Sequence, residues 1–481
     1  MQLNELLSGV VVLMRPQEEI EITSIAFDSR KVEKGSLFCC IPGTKTDGHD
    51  YAKMAMERGA AALVVQRPMD LEIPQAMVAD TRAALPILAA NFYGRPAEKM
   101  HMFGVTGTNG KTTTTYMLKT VLDYAGEKTG LLGTVALMAG DEVMGSSMTT
   151  PEPVTLQSTL ALFLQKQCTS VAMEVSSHAL AQHRVDGISY EVAVFTNLTQ
   201  DHLDYHGTME AYAAEKKKLF HMTKLAVFNA DDAHTPYMQE GLGCNQLTYG
   251  IENKADIMAK DIELGAAGVK YTLSTPIGDG RIELGIPGLF SVYNSLACAT
   301  ACYGFGLTLE QIVNGLHQVH TVPGRIEVIP TPSVPYTVIL DYAHTPDGLD
   351  NILAAVRGFA KGRIITVFGC GGDRDPSKRP LMGLAAGKGS DLCVVTTDNP
   401  RTENPAAIIE QILPGLKQSG CEYYVVENRK EAIQKALELA QKDDVVLLAG
   451  KGHEPYQEIN GVRHPFDEKA IVHEILHETI R

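Results

Sequence analysis

The chain of 481 residues contains no CxxC pair, and its nine cysteines stand scattered at 39, 40, 168, 244, 298, 302, 370, 393 and 421. An odd, unpatterned set signals neither a disulfide framework nor a zinc knuckle, so buried, reduced thiols are expected. Positive charge is not in surplus either. The net charge is −15 and no long Lys/Arg run offers phosphate backbones a surface, which excludes a general nucleic-acid binder while leaving room for local basic pockets. No stretch is apolar for the length of a membrane span, and the opening MQLNELLSGVVVLMRP carries Glu5 without an early positive region. A cytoplasmic protein without membrane contact is expected, with a monomer as its state. Short-period repeats and low-complexity segments are also missing.

What is present is an ordinary globular balance, 21% charged and 44% hydrophobic residues. At about 150 residues per domain, the length suggests roughly three domains. Short β-rich apolar runs alternate with longer amphipathic stretches, the pattern of an α/β fold with mostly parallel sheets. The expected division is a smaller α/β N-terminal domain over 1–98, a central nucleotide-loop domain over 99–323 and a Rossmann-like C-terminal domain over 324–481. NFYGRPAEK at 91–99 reads as the first linker, and about 255–290 as an antiparallel flank of the middle domain. VILDY, RIITVFG, LCVVTTD, YYVV and VVLLAG read as the strands of a doubly wound last domain. In such sheets ligands sit at the carboxyl ends of strands. Gly107, Glu174, Asn197, Asp341, Gly369, Asp398 and Gly450 all stand at or just past an apolar run.

The run FGVTGTNGKTTTTYML, Phe103 to Leu118, joins an apolar segment to a glycine turn, a lysine and a helix-like stretch, Thr112 to Ala125. Glycines 104, 107 and 110 would let backbone N–H groups face an anion, Lys111 would meet the outer phosphates, and Thr112 would offer a hydroxyl to Mg²⁺. ATP is the expected ligand. The strict loop pattern is not met, because Val105 stands where its first glycine belongs and Gly104 is one place early. The core from Gly107 to Thr112 survives in the right context; a plain glycine-rich turn is the alternative.

Glu174, in VAMEVSSHAL, reads either as an oxygen ligand for Mg²⁺ or as a cap for the next helix. TNLTQDHLDYHG gathers Asp201, His202, Asp204 and His206. The His202–His206 spacing suits zinc on a helix, but no third ligand or glutamate base accompanies it, so polar duty around nucleotide and Mg²⁺ is preferred. Glu215-Lys216-Lys217-Lys218 reads as a solvated helix face, with one lysine turned into the site as the sharper alternative. Further on, DYAHTPDG sets Asp341 and His344 past a strand, FGCGGDRDPSKRP adds Arg374, TTDNPRTENP adds Arg401, and LLAGKGHEPYQ adds Lys451, His453 and Glu454. Two arginines and a glutamate around one cleft would suit a zwitterionic amino acid, because a guanidinium offers a carboxylate two parallel bonds.

Taken together, TGTNGKT at 106–112, EVSSHAL at 174–180, TNLTQDHLDYHG at 196–207, YNSLAC at 293–298, PGRIE at 323–327 and DYAHTPD at 341–347 resemble the blocks of the Mur ligase family, in that family's order and over essentially the whole chain. These are ATP-dependent amide-bond ligases that build the peptide of bacterial cell-wall precursors. DNPR at 398–401 resembles the signature of the branch that adds meso-diaminopimelate to UDP-N-acetylmuramoyl-L-alanyl-D-glutamate. The resemblance implies that Arg374, Asp398, Asn399, Pro400, Arg401, Gly450 and Glu454 hold diaminopimelate, with Arg401 on the distal carboxylate that lysine lacks. It assigns Ser29, Thr44, Lys45, Thr46, Thr149, Thr150, Ser176, Gln182 and Arg184 to the UDP-sugar dipeptide. Gly107, Thr108, Asn109, Gly110, Lys111, Thr112 and Thr113, with Asn294, Arg325 and Asp341, would surround ATP. Thr112, Glu174, His202 and a carbamate on Lys216 would meet Mg²⁺.

The chemistry implied is activation of a carboxylate as an acyl phosphate, followed by attack of an amine. Lys111, Lys216, His202 and His344 are the expected catalytic residues, His344 as a base by position alone. Closure of a cleft would keep water from the acyl phosphate. The rivals are a lysine-adding ligase or a folylpolyglutamate synthetase, against which DNPR argues, and a regulatory ATPase that would need no amino acid.

Overall fold

The computed structural model describes residues 1–43, 46–145, 148–265 and 268–479; Thr44 and Lys45, two expected sugar-site residues, lie outside the described residues. The chain forms two compact units, Met1–Ile257 with Ala297–Ile312 and Met258–Leu296 with Val313–Arg481.

The first unit begins with five strands, β1 (Val12–Met14), β2 (Ser24–Ala26), β3 (Ser36–Cys39), β4 (Ala62–Val65) and β5 (Gln75–Val78), ordered β1-β5-β4-β3-β2. All neighbours are parallel except the edge pair β1 and β5. Side chains alternate faces with period two: Leu37, Cys39, Ala62 and Val64 enter one core, Phe38, Cys40, Leu63 and Val65 the other. The helix Thr81–Phe92 starts on Asp80, whose carboxylate accepts the N–H groups of Arg82 and Ala83.

Eight further strands follow: β6 (His101–Thr106), β7 (Thr129–Leu132), β8 (Leu137–Ala139), β9 (Glu142–Gly145), β10 (Ser170–Glu174), β11 (Tyr190–Phe195), β12 (Thr223–Asn229) and β13 (Asn245–Gly250). Their order is β13-β12-β11-β6-β10-β7-β8-β9, parallel throughout the centre and antiparallel at β8 and β9. β10 is buried along its whole length, as a parallel strand covered on both faces must be. Gly104 lies inside β6, where an added Cβ would come within 2.8 Å of the Tyr190 ring. It is therefore a packing glycine, and the reading of Gly104 as part of the phosphate loop is corrected.

In the second unit β14 (Ile257–Gly265), β15 (Gly268–Thr275) and β16 (Gly278–Leu284) make the expected antiparallel ladder. A six-stranded sheet follows, from β17 (Glu327–Ile329), β18 (Thr337–Asp341), β19 (Ile364–Phe368), β20 (Leu392–Val395), β21 (Glu422–Val425) and β22 (Val445–Ala449). Its order is β17-β18-β22-β19-β20-β21, parallel apart from β17, with one core on each face. A hairpin of β23 (Tyr456–Ile459) and β24 (Val462–Pro465) comes after it. All nine cysteines are free, and only Cys244 and Cys421 are partly exposed. Among the described residues no helix is long and apolar enough to cross a membrane.

Candidate functional site

In the first unit, β6 ends in the loop Gly107–Gly110 and the helix Lys111–Tyr124 begins there, with Thr112 and Thr113 buried in its first turn. Gly107 has φ +152°, and an added Cβ would fall within 1.9 Å of Thr196 Oγ1, so only glycine fits. The loop is braced by the segment after β11. Thr108 N–H donates to Asn197 O (2.9 Å) and Asn109 N–H to Asn197 Oδ1 (2.9 Å), while Thr196 Oγ1 donates to Asn109 O (2.6 Å). Lys111 Nζ lies 2.8 Å from both Gly107 O and Thr108 O. The helix N-terminus and this ammonium form the electropositive end that a phosphate requires.

Lys216 resolves the three-lysine run. It is 1% exposed, whereas Lys217 lies over the Tyr237 ring and Lys218 is an exposed partner of Glu215. Its Nζ donates to Gly107 O (2.8 Å) and lies 4.6 Å from the Tyr212 ring centroid. Burial, reinforced by the Lys111 charge and opposed by Asp201, holds its pKa well below the lysine range. Glu174, 1% exposed, accepts from Thr112 Oγ1 (3.0 Å), Thr134 N–H (2.8 Å) and Thr134 Oγ1 (3.3 Å). It does not cap the next helix; the Ser176 hydroxyl does, accepting from Ala179 N–H. His202 sits 3.3 Å from Asp201 and edge-on to the rings of His178 and Tyr212, and His206 meets Ser177 Oγ at 3.0 Å. Among the described residues no group of three His, Cys, Asp or Glu is placed to hold a metal ion. The Thr112–Glu174 oxygen pair nevertheless suits Mg²⁺, which takes one or two protein oxygens beside water and phosphate.

The same unit links five of the expected sugar-dipeptide residues, Thr149, Thr150, Ser176, Gln182 and Arg184, through hydrogen bonds. Arg184 Nη1 donates to Thr150 O (2.9 Å), and its guanidinium also meets Gln182 Oε1 (2.7 Å) and Glu152 Oε1 (2.7 Å). The Thr150 hydroxyl lies 3.3 Å from Ser176 Oγ, and Thr149 Oγ1 lies 2.9 Å from Thr134 Oγ1. A cavity of about 590 Å³ is lined by Ser29, Thr46 and Gln182 together with Arg30, Arg82 and Glu152.

In the second unit Asp341 closes β18 and accepts the N–H groups of Ile326 (2.9 Å) and Ala343 (2.8 Å), fixing the turn that carries Arg325. Burial raises the Asp341 pKa, with Arg325 the largest opposing influence. The Arg325 guanidinium stands over the Tyr342 ring at 5.4 Å, and Asn294 is buried on the helix Leu289–Phe305.

The carboxyl ends of β18, β19, β20 and β22 surround a cavity of about 130 Å³ lined by His344, Arg374, Asp398, Asn399, Arg401, Gly450 and Glu454, with Tyr342, Gly371 and Lys378. Six of the seven expected amino-acid residues meet there; Pro400 is not among the lining residues, and its carbonyl accepts from Glu403 N–H at 3.0 Å. Arg401 has φ +51°, and the hairpin holds this strained residue: Arg401 N–H donates to Glu458 O (3.1 Å) and Asn460 N–H to Arg401 O (2.7 Å). Its Nη1 donates to Gly372 O (2.7 Å). His344 Nδ1 lies 2.8 Å from Tyr342 O, which assigns the proton to Nδ1 and leaves the Nε2 lone pair open.

Sequence reasoning left out Tyr342 and Lys378 from this cavity and gave Lys451 no role. Their only signal was position, just past strands β18 and β22 or within the glycine-rich run after β19.

Three family descriptions match in chain order: Mur ligase family, catalytic domain, over 21–93; Mur ligase middle domain, over 105–302; and Mur ligase, glutamate ligase domain, over 324–452. A UDP-N-acetylmuramoyl-L-alanyl-D-glutamate–2,6-diaminopimelate ligase of Caldanaerobacter subterraneus subsp. tengcongensis is 48% identical over 483 residues, covering 100% of both chains. One of Clostridioides difficile is 45% identical over 99% of each chain. A solved structure bearing the same enzyme name is 33% identical, with a TM-score of 0.73 over 100% of this chain and 99% of that one. A relative matched end to end, and family domains that fall on the phosphate loop and the charged cavity alike, show that the chain belongs to the Mur ligase family.

Proposed function

We propose that the chain is an ATP-dependent ligase that joins meso-diaminopimelate to UDP-N-acetylmuramoyl-L-alanyl-D-glutamate in the cytoplasm, acting as a monomer. The observation that carries this reading is the cavity at four strand ends, which Arg374, Arg401, Asp398 and Glu454 line together. Two cationic forks and two carboxylates match an acceptor that carries two carboxylates and two ammonium groups.

The γ-carboxylate of the D-glutamyl residue attacks the γ-phosphorus of ATP, forming a C–O–P linkage as ADP leaves. Lys111 and the loop N–H groups bear the charge spread over the transferring group. Bound Mg²⁺, held by Thr112 and Glu174 with His202 and a carbamate on Lys216, would neutralise phosphate charge. Lys216 suits carbamate formation because an uncharged amine is the form that adds to CO₂, and its burial disfavours the ammonium. The amine of diaminopimelate then attacks the acyl carbon, phosphate leaves, and His344 Nε2 takes the amine proton. Ser29, Thr46, Thr149, Thr150, Ser176, Gln182 and Arg184 hold the sugar dipeptide, with Thr44 and Lys45 assigned by resemblance. Arg325, Asp341 and Asn294 complete the nucleotide contacts.

The test is phosphate release with Mg²⁺-ATP and the UDP-sugar dipeptide, comparing meso-diaminopimelate, L-lysine and no acceptor. Release only with diaminopimelate, with one tripeptide product by mass, is expected. Equal release with lysine overturns the acceptor assignment, and release without any acceptor overturns the ligase reading in favour of an ATPase switch.

A further inference from the structure

Behind the wall of the charged cavity lies Lys451, 0% exposed, at the start of the segment after β22. Its Nζ is 3.1 Å from Asn399 Oδ1, 3.5 Å from Glu454 Oε2 and 3.8 Å from Asp398 Oδ1, and 5.7 Å from the Tyr456 ring centroid. A buried ammonium is costly unless it is paired and hydrogen-bonded. Here every polar partner is itself a cavity-lining residue, and the partners come from two strand ends, Asp398 and Asn399 past β20 and Glu454 past β22.

The arrangement fixes the Asn399 amide. A lysine ammonium only donates and an ionised carboxylate only accepts. Asn399 Oδ1 therefore faces Lys451 Nζ and also takes the Glu458 N–H (2.9 Å), while Nδ2 donates to Glu454 Oε2 (2.9 Å). One N–H of that nitrogen is left for the cavity, beside the Glu454 carboxylate. A donor and an acceptor stand side by side there, with Lys451 balancing the charge of Asp398 and Glu454.

We infer that Lys451 is a positioning residue for the amino-acid substrate: it locks Asn399 and Glu454 in the orientation that receives one polar end of a zwitterion, without touching the substrate. The inference rests on the reading of the cavity as the acceptor site. Removing the ammonium leaves Asp398 and Glu454 without their shared counter-charge and frees the link between the two strand ends. Loss should therefore appear in acceptor affinity and spare the nucleotide.

The experiment measures phosphate release from wild type, Lys451→Gln, Asn399→Ala and the double variant, varying each substrate in turn. Lys451→Gln should raise KM for diaminopimelate at least about tenfold, the worth of a hydrogen bond to a charged group, with KM for ATP within about twofold. The effects in the double variant should be clearly less than additive, because part of what Lys451 does passes through its contact with Asn399. An unchanged KM for diaminopimelate, equal increases for all three substrates, or additive effects in the double variant overturns the inference. If Lys451→Gln does not fold, Lys451→Arg decides: it keeps the buried positive charge and moves its donors relative to Asn399 Oδ1, so an unchanged KM for diaminopimelate overturns the inference and a tenfold rise with KM for ATP unchanged upholds it. Wild type that releases phosphate without any acceptor overturns the functional reading instead, and is thereby told apart from failure of the inference.

Discussion

Lys216 in the first unit and Lys451 in the second are buried to the same degree, 1% and 0% exposed, and keep opposite company. Lys216 faces a carbonyl and a ring, with the Lys111 charge nearby, and among the described residues it forms no ion pair. Lys451 is held between two carboxylates and an amide oxygen. The first environment disfavours the ammonium and so favours a reactive amine; the second ties the lysine to partners from two strand ends. Burial alone does not decide what a lysine does. The charges that share its pocket do.

The largest expected consequence lies at Lys216. Lys216→Ala should lower kcat by at least about 10³-fold, the scale of losing a preorganised electrostatic group, and added bicarbonate should not restore it. A fully active variant would place the carbamate elsewhere or remove it, and the contrast between the lysines would lose its chemical half. Next comes Arg401→Ala. Leaving a substrate carboxylate without its partner should cost about 2–5 kcal/mol in kcat/KM for diaminopimelate. Unchanged kinetics would show that DNPR does not set acceptor choice.

The strand ends around both lysines were legible in the sequence, whereas the contrast between the lysines was not, and for a physical reason. Strand ends could be read because apolar runs followed by Gly, Asp or Glu mark where a parallel sheet presents its ligands, and β6, β10, β18, β20 and β22 all follow that rule. The Lys216-Lys217-Lys218 register could not be fixed from charge, since three adjacent lysines look alike until Tyr212 and Gly107 bury one of them. Gly104 misled for the opposite reason: a glycine beside a loop looks like loop chemistry, while the force on it is the ring of Tyr190, distant in sequence. Lys451 stood one residue past an expected site glycine, yet its partners come from residues more than fifty positions away and from a side chain three positions on. Local pattern carries periodicity and turn chemistry, whereas pairing of buried charge is a property of topology.

The comparison also predicts opposite stability effects for one isosteric change. Lys451→Met removes one partner of a buried charge cluster and leaves Asp398 and Glu454 uncompensated, so thermal or denaturant unfolding should show a loss of about 3 kcal/mol. If that variant is as stable as wild type, Lys451 is not the tie between β20 and β22.

Lys216→Met should move stability least, by no more than about 1 kcal/mol, and toward greater stability if in either direction. The side chain is buried against the Tyr212 ring and the loop, so a thioether of similar length fills the same space. The amine donates to Gly107 O, and that carbonyl also accepts from Lys111 Nζ at 2.8 Å, so the substitution leaves no orphaned acceptor. What the change removes is the cost of burying an amine beside the Lys111 charge. Melting of the two methionine variants side by side, with turnover measured on the same samples, separates the roles: Lys216→Met should be inactive and stable, Lys451→Met less stable and weak in acceptor binding. A marked loss of stability in Lys216→Met would mean that this lysine, like Lys451, is held by charges that stabilise the fold, and the distinction between a reactive and a structural buried lysine would fail.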